Sequence, residues 1–314
     1  MKNFAMLGRW HVHADGYANE INRLPGCKVV KVWDPDAANA AQWAEKLGCK
    51  AASVEEILAD PSIDGVIVCA ATNEHGPLLV RACDSGKAVF TEKVLTLTER
   101  EALEVKAAIE RNNTRFAISF PHLSESGVIF ALEAAKSGKL GDLNYARVRK
   151  AHNGATGDWL PPHFYDPIAC GGGAMIDLGA HPMYLLCEIM DAEPVSVQSS
   201  FTNITGHAVE DNAVSLLTFA NGAIGVSETG FVSSGYPFTI EIGGTKGTLL
   251  LRDNKVEWCC EETGNKWCEA ALPDALPSPL AQWALAESQA DLPDGVGIEP
   301  AIRLTRVMEA AYRK

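Results

Sequence analysis

Membrane spans, an export signal and paired-cysteine motifs are not expected from this 314-residue sequence. No stretch approaches the ~18 uninterrupted apolar residues that a membrane helix needs, and the apolar run at Phe4–Leu7 is far too short for a signal-peptide core. Neither export nor a membrane partner is therefore expected. The nine cysteines are odd in number, include no Cys-x-x-Cys pair and place Cys259 beside Cys260, which argues against a disulfide framework. Free thiols in a reducing cytoplasm are the expectation. Positive charge is also scarce, with 27 Lys and Arg against 40 Asp and Glu and a net charge of -13. Nucleic acids and anionic membranes are approached through Lys and Arg stripes, so neither is an expected partner. There is no internal repeat and no low-complexity tract.

What is present is an ordinary soluble composition, 47% hydrophobic and 21% charged, in a chain longer than the ~250 to 300 residues at which single cores stop growing. Two domains are expected. Up to about residue 120, short apolar strands (Phe4–Leu7, Val29–Trp33, Gly65–Ala70, Ala88–Thr91, Phe116–Ser119) alternate with helical patterns (Asp15–Arg23, Ala37–Leu47, Pro77–Ser85, Thr98–Asn112). That alternation specifies an α/β fold whose first domain is a doubly wound parallel sheet with right-handed crossovers. After Pro121 a helix at Ser124–Lys136 and another near 174–190 accompany period-2 runs such as Leu143–Lys150, Val214–Phe219 and Thr248–Leu251, the signature of a large, mostly antiparallel open sheet. The boundary is placed at 120, giving domains 1–120 and 121–314, with a last helix at about 300–313 expected to pack back on the first domain.

In a doubly wound sheet the ligand lies beyond the carboxyl ends of the strands. Gly8 ends the first strand, and Asp34 ends the second, where an acid can bond a ribose 2'-hydroxyl and would repel a 2'-phosphate. NAD is favoured over NADP on that ground; a turn or helix cap before Pro35 would also explain Asp34. The turn after the first strand reads Gly8-Arg9-Trp10-His11-Val12-His13, so Trp10 and His13 stand where G-x-G-x-x-G has its second and third glycines. His11-x-His13 could also present two ligands of a metal-dependent hydrolase of the barrel type, but the second half does not continue the strand-helix alternation such a barrel needs, and no metal is expected. Thr72, Asn73 and His75 follow the third strand and could cap a helix or contact ribose or phosphate. Glu92 and Lys93 end the fourth, where a lysine can stabilise an alkoxide.

The segment Gly171-Gly172-Gly173-Ala174-Met175-Ile176-Asp177-Leu178-Gly179-Ala180-His181 puts an acid and an imidazole four residues apart, on one face if the register is helical. That is a proton-handling pair. His122, Arg149, His152 and Trp159 are candidate substrate contacts, with Arg147, His163, Tyr165 and Asp166 further polar groups of the same region.

The segments Asp64–Val68, Thr72–His75, Gly86–Lys93 and Gly171–Gly173 with Asp177, Gly179 and His181 together give a chain that resembles, over essentially its whole length, the Gfo/Idh/MocA oxidoreductases, the glucose-fructose oxidoreductase and inositol dehydrogenase group. The resemblance implies an N-terminal Rossmann domain and a C-terminal substrate-binding and oligomerisation domain whose sheet joins subunits into a dimer or tetramer. It implies Lys93 as the catalytic lysine, Glu92 near the nicotinamide, and Asp177 and His181 as substrate-binding acid and proton-transfer base. Val94 stands where the family's Glu-Lys-Pro has its proline. The expected activity is NAD(P)-dependent hydride transfer between nicotinamide and a secondary alcohol or ketone of a sugar, cyclitol or related polyol. An NAD-using hydrolase or lyase with transient oxidation, and a turnover-poor ligand-binding member of the fold, are the alternatives.

Overall fold

The central strands of the first half are short and buried on both faces, and this dictates how they assemble. A computed structural model describes residues 1–313. Six strands, β1 (Lys2–Leu7), β2 (Cys27–Trp33), β3 (Lys50–Ala51), β4 (Gly65–Val68), β5 (Ala88–Thr91) and β6 (Phe116–Ile118), form one parallel sheet in the order β3-β2-β1-β4-β5-β6. The order reverses between β1 and β4, which creates the crevice where doubly wound sheets bind ligands. Between the strands run α1 (Ala14–Arg23), α2 (Ala37–Leu47), α3 (Val54–Leu58), α4 (His75–Asp84) and α5 (Glu99–Asn112). Local chemistry starts two of them: Ser53 with Glu56 and Thr98 with Glu101 are capping boxes.

The chain divides into two compact units, one of Met1–Phe120 with Pro277–Thr305, the other of Pro121–Leu276 with the residues from Arg306. Within the first unit, Trp283 is fully buried and its ring lies 5.2 Å from Phe4 and 5.7 Å from Phe90. A side chain at Gly65 would collide with that indole, so a bare strand residue is required there.

The second unit contains α6 (Ser126–Lys136), β7 (Leu143–Ala151), α7 (Pro167–Cys170), α8 (Ala174–Asp177), α9 (Ala180–Met190), β8 (Ser196–Thr202), β9 (Asn212–Thr218), β10 (Ile224–Gly230), β11 (Thr239–Gly244), β12 (Gly247–Arg252), β13 (Lys255–Cys260) and β14 (Cys268–Glu269). Then come α10 (Pro279–Leu285), which carries Trp283 in the first unit, and α11 (Ile298–Tyr312). The eight strands pair in the order β14-β13-β12-β11-β7-β10-β9-β8, antiparallel except for β7 with β10. Alternation gives the sheet two faces. Ala146 and Val148 of β7 are buried on the side of α9, while Arg147 and Arg149 occupy the other side, near partly exposed Tyr145, Leu216, Ile224 and Leu250. On that open face Arg147 makes a two-pronged bond to Glu228, which Arg149 also reaches at 3.3 Å.

The sequence reading differs from the structure in a few places. The helix expected over 174–190 is two helices, α8 and α9, because the Gly179 amide bonds back to Ala174 O and the His181 amide to Leu178 O, breaking the regular ladder between Asp177 and His181. The two-residue strands β3 and β14 and the short helices α3, α7 and α10 carry too little periodicity to be read. A hydrolase barrel is not formed. Among the described residues no helix is long and apolar enough to cross a membrane, and no disulfide joins the nine cysteines.

Candidate active site

Gly8 ends β1 in the left-handed region, φ +91, and a Cβ there would lie 2.6 Å from Ala70 backbone atoms, so only glycine lets the chain turn against β4. The turn that follows has its amides directed inward. Trp10 N and His11 N both donate to Cys69 O at 3.1 Å, and Arg9 N donates to Asp34 Oδ2 at 2.9 Å. Asp34 also accepts from Asp36 N, so it shapes this turn as well as standing at the ribose position. The Arg9 guanidinium is held in two bonds by Asp15 and a third by Asn39, which leaves it committed elsewhere than to a 2'-phosphate. Thr72 is buried and Asn73 exposed in a single 3-10 turn at the start of α4.

After β5 come Glu92 and Lys93, both buried. Glu92 Oε1 accepts from the Tyr17 hydroxyl and lies 2.7 Å from His13 Nδ1, while Oε2 accepts from Lys93 N at 3.0 Å. Burial alone would raise this carboxyl, but His11, His13 and Lys93 hold it well below the usual carboxylate range. Burial and the Glu92 charge push the Tyr17 phenol well above its ordinary value, so it remains a donor; Ser119 Oγ lies 2.6 Å from it. His75, expected at the ligand, is instead wholly internal. Its ring nitrogens lie 2.9 Å from Val94 O and 3.2 Å from Ala70 O, tying the turn after Lys93 to the end of β4. The Lys93–Val94 peptide is cis.

In the second unit the triple glycine is a site of close approach. Gly171 takes φ +81 to end α7, a side chain at Gly172 would strike the Tyr312 hydroxyl, and one at Gly173 the Glu210 carbonyl. Glu210 Oε1 accepts from Gly173 N and Met175 N at 3.0 Å each, so a carboxylate sits on the amides that open α8. Tyr312 donates to the same oxygen at 2.5 Å and accepts from Ile176 N. This clamp fixes the segment that carries Asp177, half-buried at the end of α8, and His181, buried in the first turn of α9.

The His181 ring is bounded by His122, edge-on at 4.8 Å, and by Tyr184 at 5.8 Å, whose hydroxyl accepts from His122 N. His122 is itself fixed by stacking on Phe238 and by Glu125, 2.7 Å from its Nδ1. A hollow of about 300 Å³ opens here, lined by His122, Glu125, Lys150, Phe238, Asp253 and Asn254. Burial pushes the Lys150 ammonium below the ordinary lysine value. The arrangement offers an imidazole next to a polar, partly aromatic recess, which suits proton exchange with a hydroxylated molecule.

The other candidates separate. Arg149 lies on the open sheet face with its guanidinium 3.9 Å from the Tyr236 ring centre, on the side of β7 opposite Lys150. His152 stacks on Phe231 and lies against exposed Trp159. Asp166 caps α7, Tyr165 stacks on His207 at 3.6 Å, and His163 lies against Phe164. Sequence reasoning did not single out Tyr17, Glu125, Tyr184, Glu210 or Tyr312; the helical spacing of Glu125 three residues after His122 was the one local signal.

The Gly8 turn, the acid at the end of β2 and the Glu92-Lys93 end of β5 fit a dinucleotide at the switch point, while the pyrophosphate turn itself has fewer outward amides than three glycines would give. Residues 2–120 match the family described as "Oxidoreductase family, NAD-binding Rossmann fold", and residues 129–250 match the "GFO/IDH/MocA C-terminal domain". The chain is 28% identical over 253 residues, 78% of its length and 70% of the relative's, to scyllo-inositol 2-dehydrogenase (NAD(+)) of Bacillus subtilis (strain 168). It is 30% identical over 250 residues, 74% of this chain and 70% of the relative, to myo-inositol 2-dehydrogenase of Thermotoga maritima. In fold it is similar to an aldose-aldose oxidoreductase from Caulobacter crescentus, with TM-score 0.84 at 17% identity, covering 99% of this chain and 96% of that one. With both of its halves matched, the chain belongs to the Gfo/Idh/MocA family of NAD-binding oxidoreductases.

Proposed function

We propose that the protein is an NAD-linked dehydrogenase or reductase acting on a secondary alcohol or ketone of a sugar, cyclitol or related polyol. The observation that carries this is the clamped glycine turn, which holds the segment of Asp177 and His181, with the buried His181 ring against His122 at the edge of a polar recess. Relatives named as inositol 2-dehydrogenases support the substrate class. A bound nicotinamide would supply the hydride acceptor or donor. Gly8, Trp10, Asp34, Thr72, Asn73 and Glu92 would hold it. His181 takes the hydroxyl proton on oxidation and returns it on reduction. Asp177 binds the neighbouring hydroxyl, and Lys93 donates to the oxygen on which charge develops. Asp34 and the committed Arg9 favour NAD over NADP.

The inward amides of Trp10 and His11 favour, as a second reading, a turnover-poor ligand-binding member. Titration with NAD, NADH, NADP and NADPH, followed by a panel of inositols and sugars, separates the two. The dehydrogenase reading expects NAD(H) to bind most tightly and NADH to accumulate with at least one polyol; binding without turnover supports the second, and no dinucleotide binding overturns the first. The open sheet face, with Tyr145, Leu216, Ile224 and Leu250 around the Arg147–Glu228 pair, is the proposed contact of a homodimer or tetramer. Nine cysteines without a disulfide support a reducing, cytoplasmic setting.

A further inference from the structure

We infer that His11, His13 and Glu92 form a binding site for a divalent transition-metal ion. The ligand-type atoms of the three residues lie within 4.8 Å of one another. Both imidazoles turn Nδ1 toward the same oxygen, Glu92 Oε1, at 3.7 Å for His11 and 2.7 Å for His13. A hydrogen bond from His13 accounts for the second distance. The same His11 Nδ1 accepts from His13 N at 3.3 Å, a bond that opens when this nitrogen turns to an ion.

Two imidazoles and one carboxylate are the donor set of open, three-ligand zinc sites, and the nitrogen ligands select a borderline transition ion over calcium or magnesium. Bonds of roughly 2.0–2.2 Å put tetrahedral ligands about 3.4 Å apart, so the three donors need only modest side-chain rotations to close on an ion. The carboxylate is already oriented by Tyr17 and Lys93 N, the outer bonds that commonly hold metal ligands in place. His13 is partly exposed and makes no capping bond to α1, which gives an ion an entry side and leaves the residue replaceable without loss of a cap.

The test uses the full chain, stripped with chelator and free of dinucleotide, so its result does not depend on the dehydrogenase reading. Zn²⁺ is titrated by calorimetry and Co²⁺ by visible absorption. The expected result is one ion per chain, a Co²⁺ spectrum without a thiolate charge-transfer band, and binding weakened roughly 10-fold or more in both His13→Ala and His11→Ala, a loss at least equal to that of an outer-shell partner. Circular dichroism checks that each variant is folded, and His13→Ala alone is sufficient should His11→Ala unfold. No binding by the parent chain, unchanged affinity in folded His13→Ala, or a thiolate band would each overturn the site.

Discussion

His75 Nδ1 lies 2.9 Å from the carbonyl oxygen of Val94, so a helix residue of the Rossmann unit anchors the turn that follows Lys93. Burial pushes this imidazole below the ordinary histidine value, against the opposing pull of the Val94 and Ala70 carbonyls. Because its folded pKa is depressed, the unfolded chain takes up the proton first as pH falls. The contribution is complete above about 6.5 and is lost progressively below it, with a limiting slope of about 1.4 kcal/mol per pH unit. Denaturant melts between pH 7 and 5 should show this slope in the parent and a shallower one in His75→Asn; identical slopes would remove His75 from the account.

Lys93→Ala should lower kcat about 100- to 1,000-fold, the range for loss of one donor to a developing oxyanion. Dinucleotide affinity, measured by fluorescence titration, should change little. Unchanged turnover would show that Lys93 does not touch the reacting oxygen.

Tyr312→Phe keeps the ring against Phe201 but removes the hydroxyl that serves Glu210 and Ile176 N. A loss of about 1–3 kcal/mol is expected from the unpaired groups left behind. If the clamp also positions the proton-handling pair, kcat falls further than the melting midpoint alone explains, and restored stability by a distant stabilising change would not restore it.

Asp34→Ala should weaken NAD by roughly 10- to 100-fold, in keeping with loss of hydrogen bonds to a charged group. NADP should be affected less, so the ratio of the two dissociation constants moves toward unity. An unchanged ratio would assign Asp34 to the turn alone.

Much of this fold was legible because the sequence states it locally. Ala37–Leu47 and Ala88–Thr91 are helix and strand over the residues their patterns indicate, and strict alternation in β7 separates Arg147 and Arg149 from Ala146 and Val148. The break between α8 and α9 was not legible, since Leu178 and Gly179 keep helical dihedrals and only the hydrogen-bond ladder changes. The site was legible where chemistry sits at strand ends, as with Asp34 and Lys93. It was hidden where partners are distant in the chain: Tyr17 meets Glu92 across 75 positions and Tyr312 meets Glu210 across 102. No periodicity encodes such meetings. The same limit hid the third donor beside His11 and His13, and it made His75, internal in fact, look like a ligand contact.

The inward turn of the Trp10 and His11 amides sets a rule for redesign. Placing glycines at positions 10 and 13 would remove two bulky side chains yet leave those N–H groups bonded to the Cys69 carbonyl. A dinucleotide that needs them must first displace a backbone acceptor at the end of β4. Recruiting a different cofactor to this scaffold is therefore a problem of two strands, and changes confined to the loop after β1 will be insufficient.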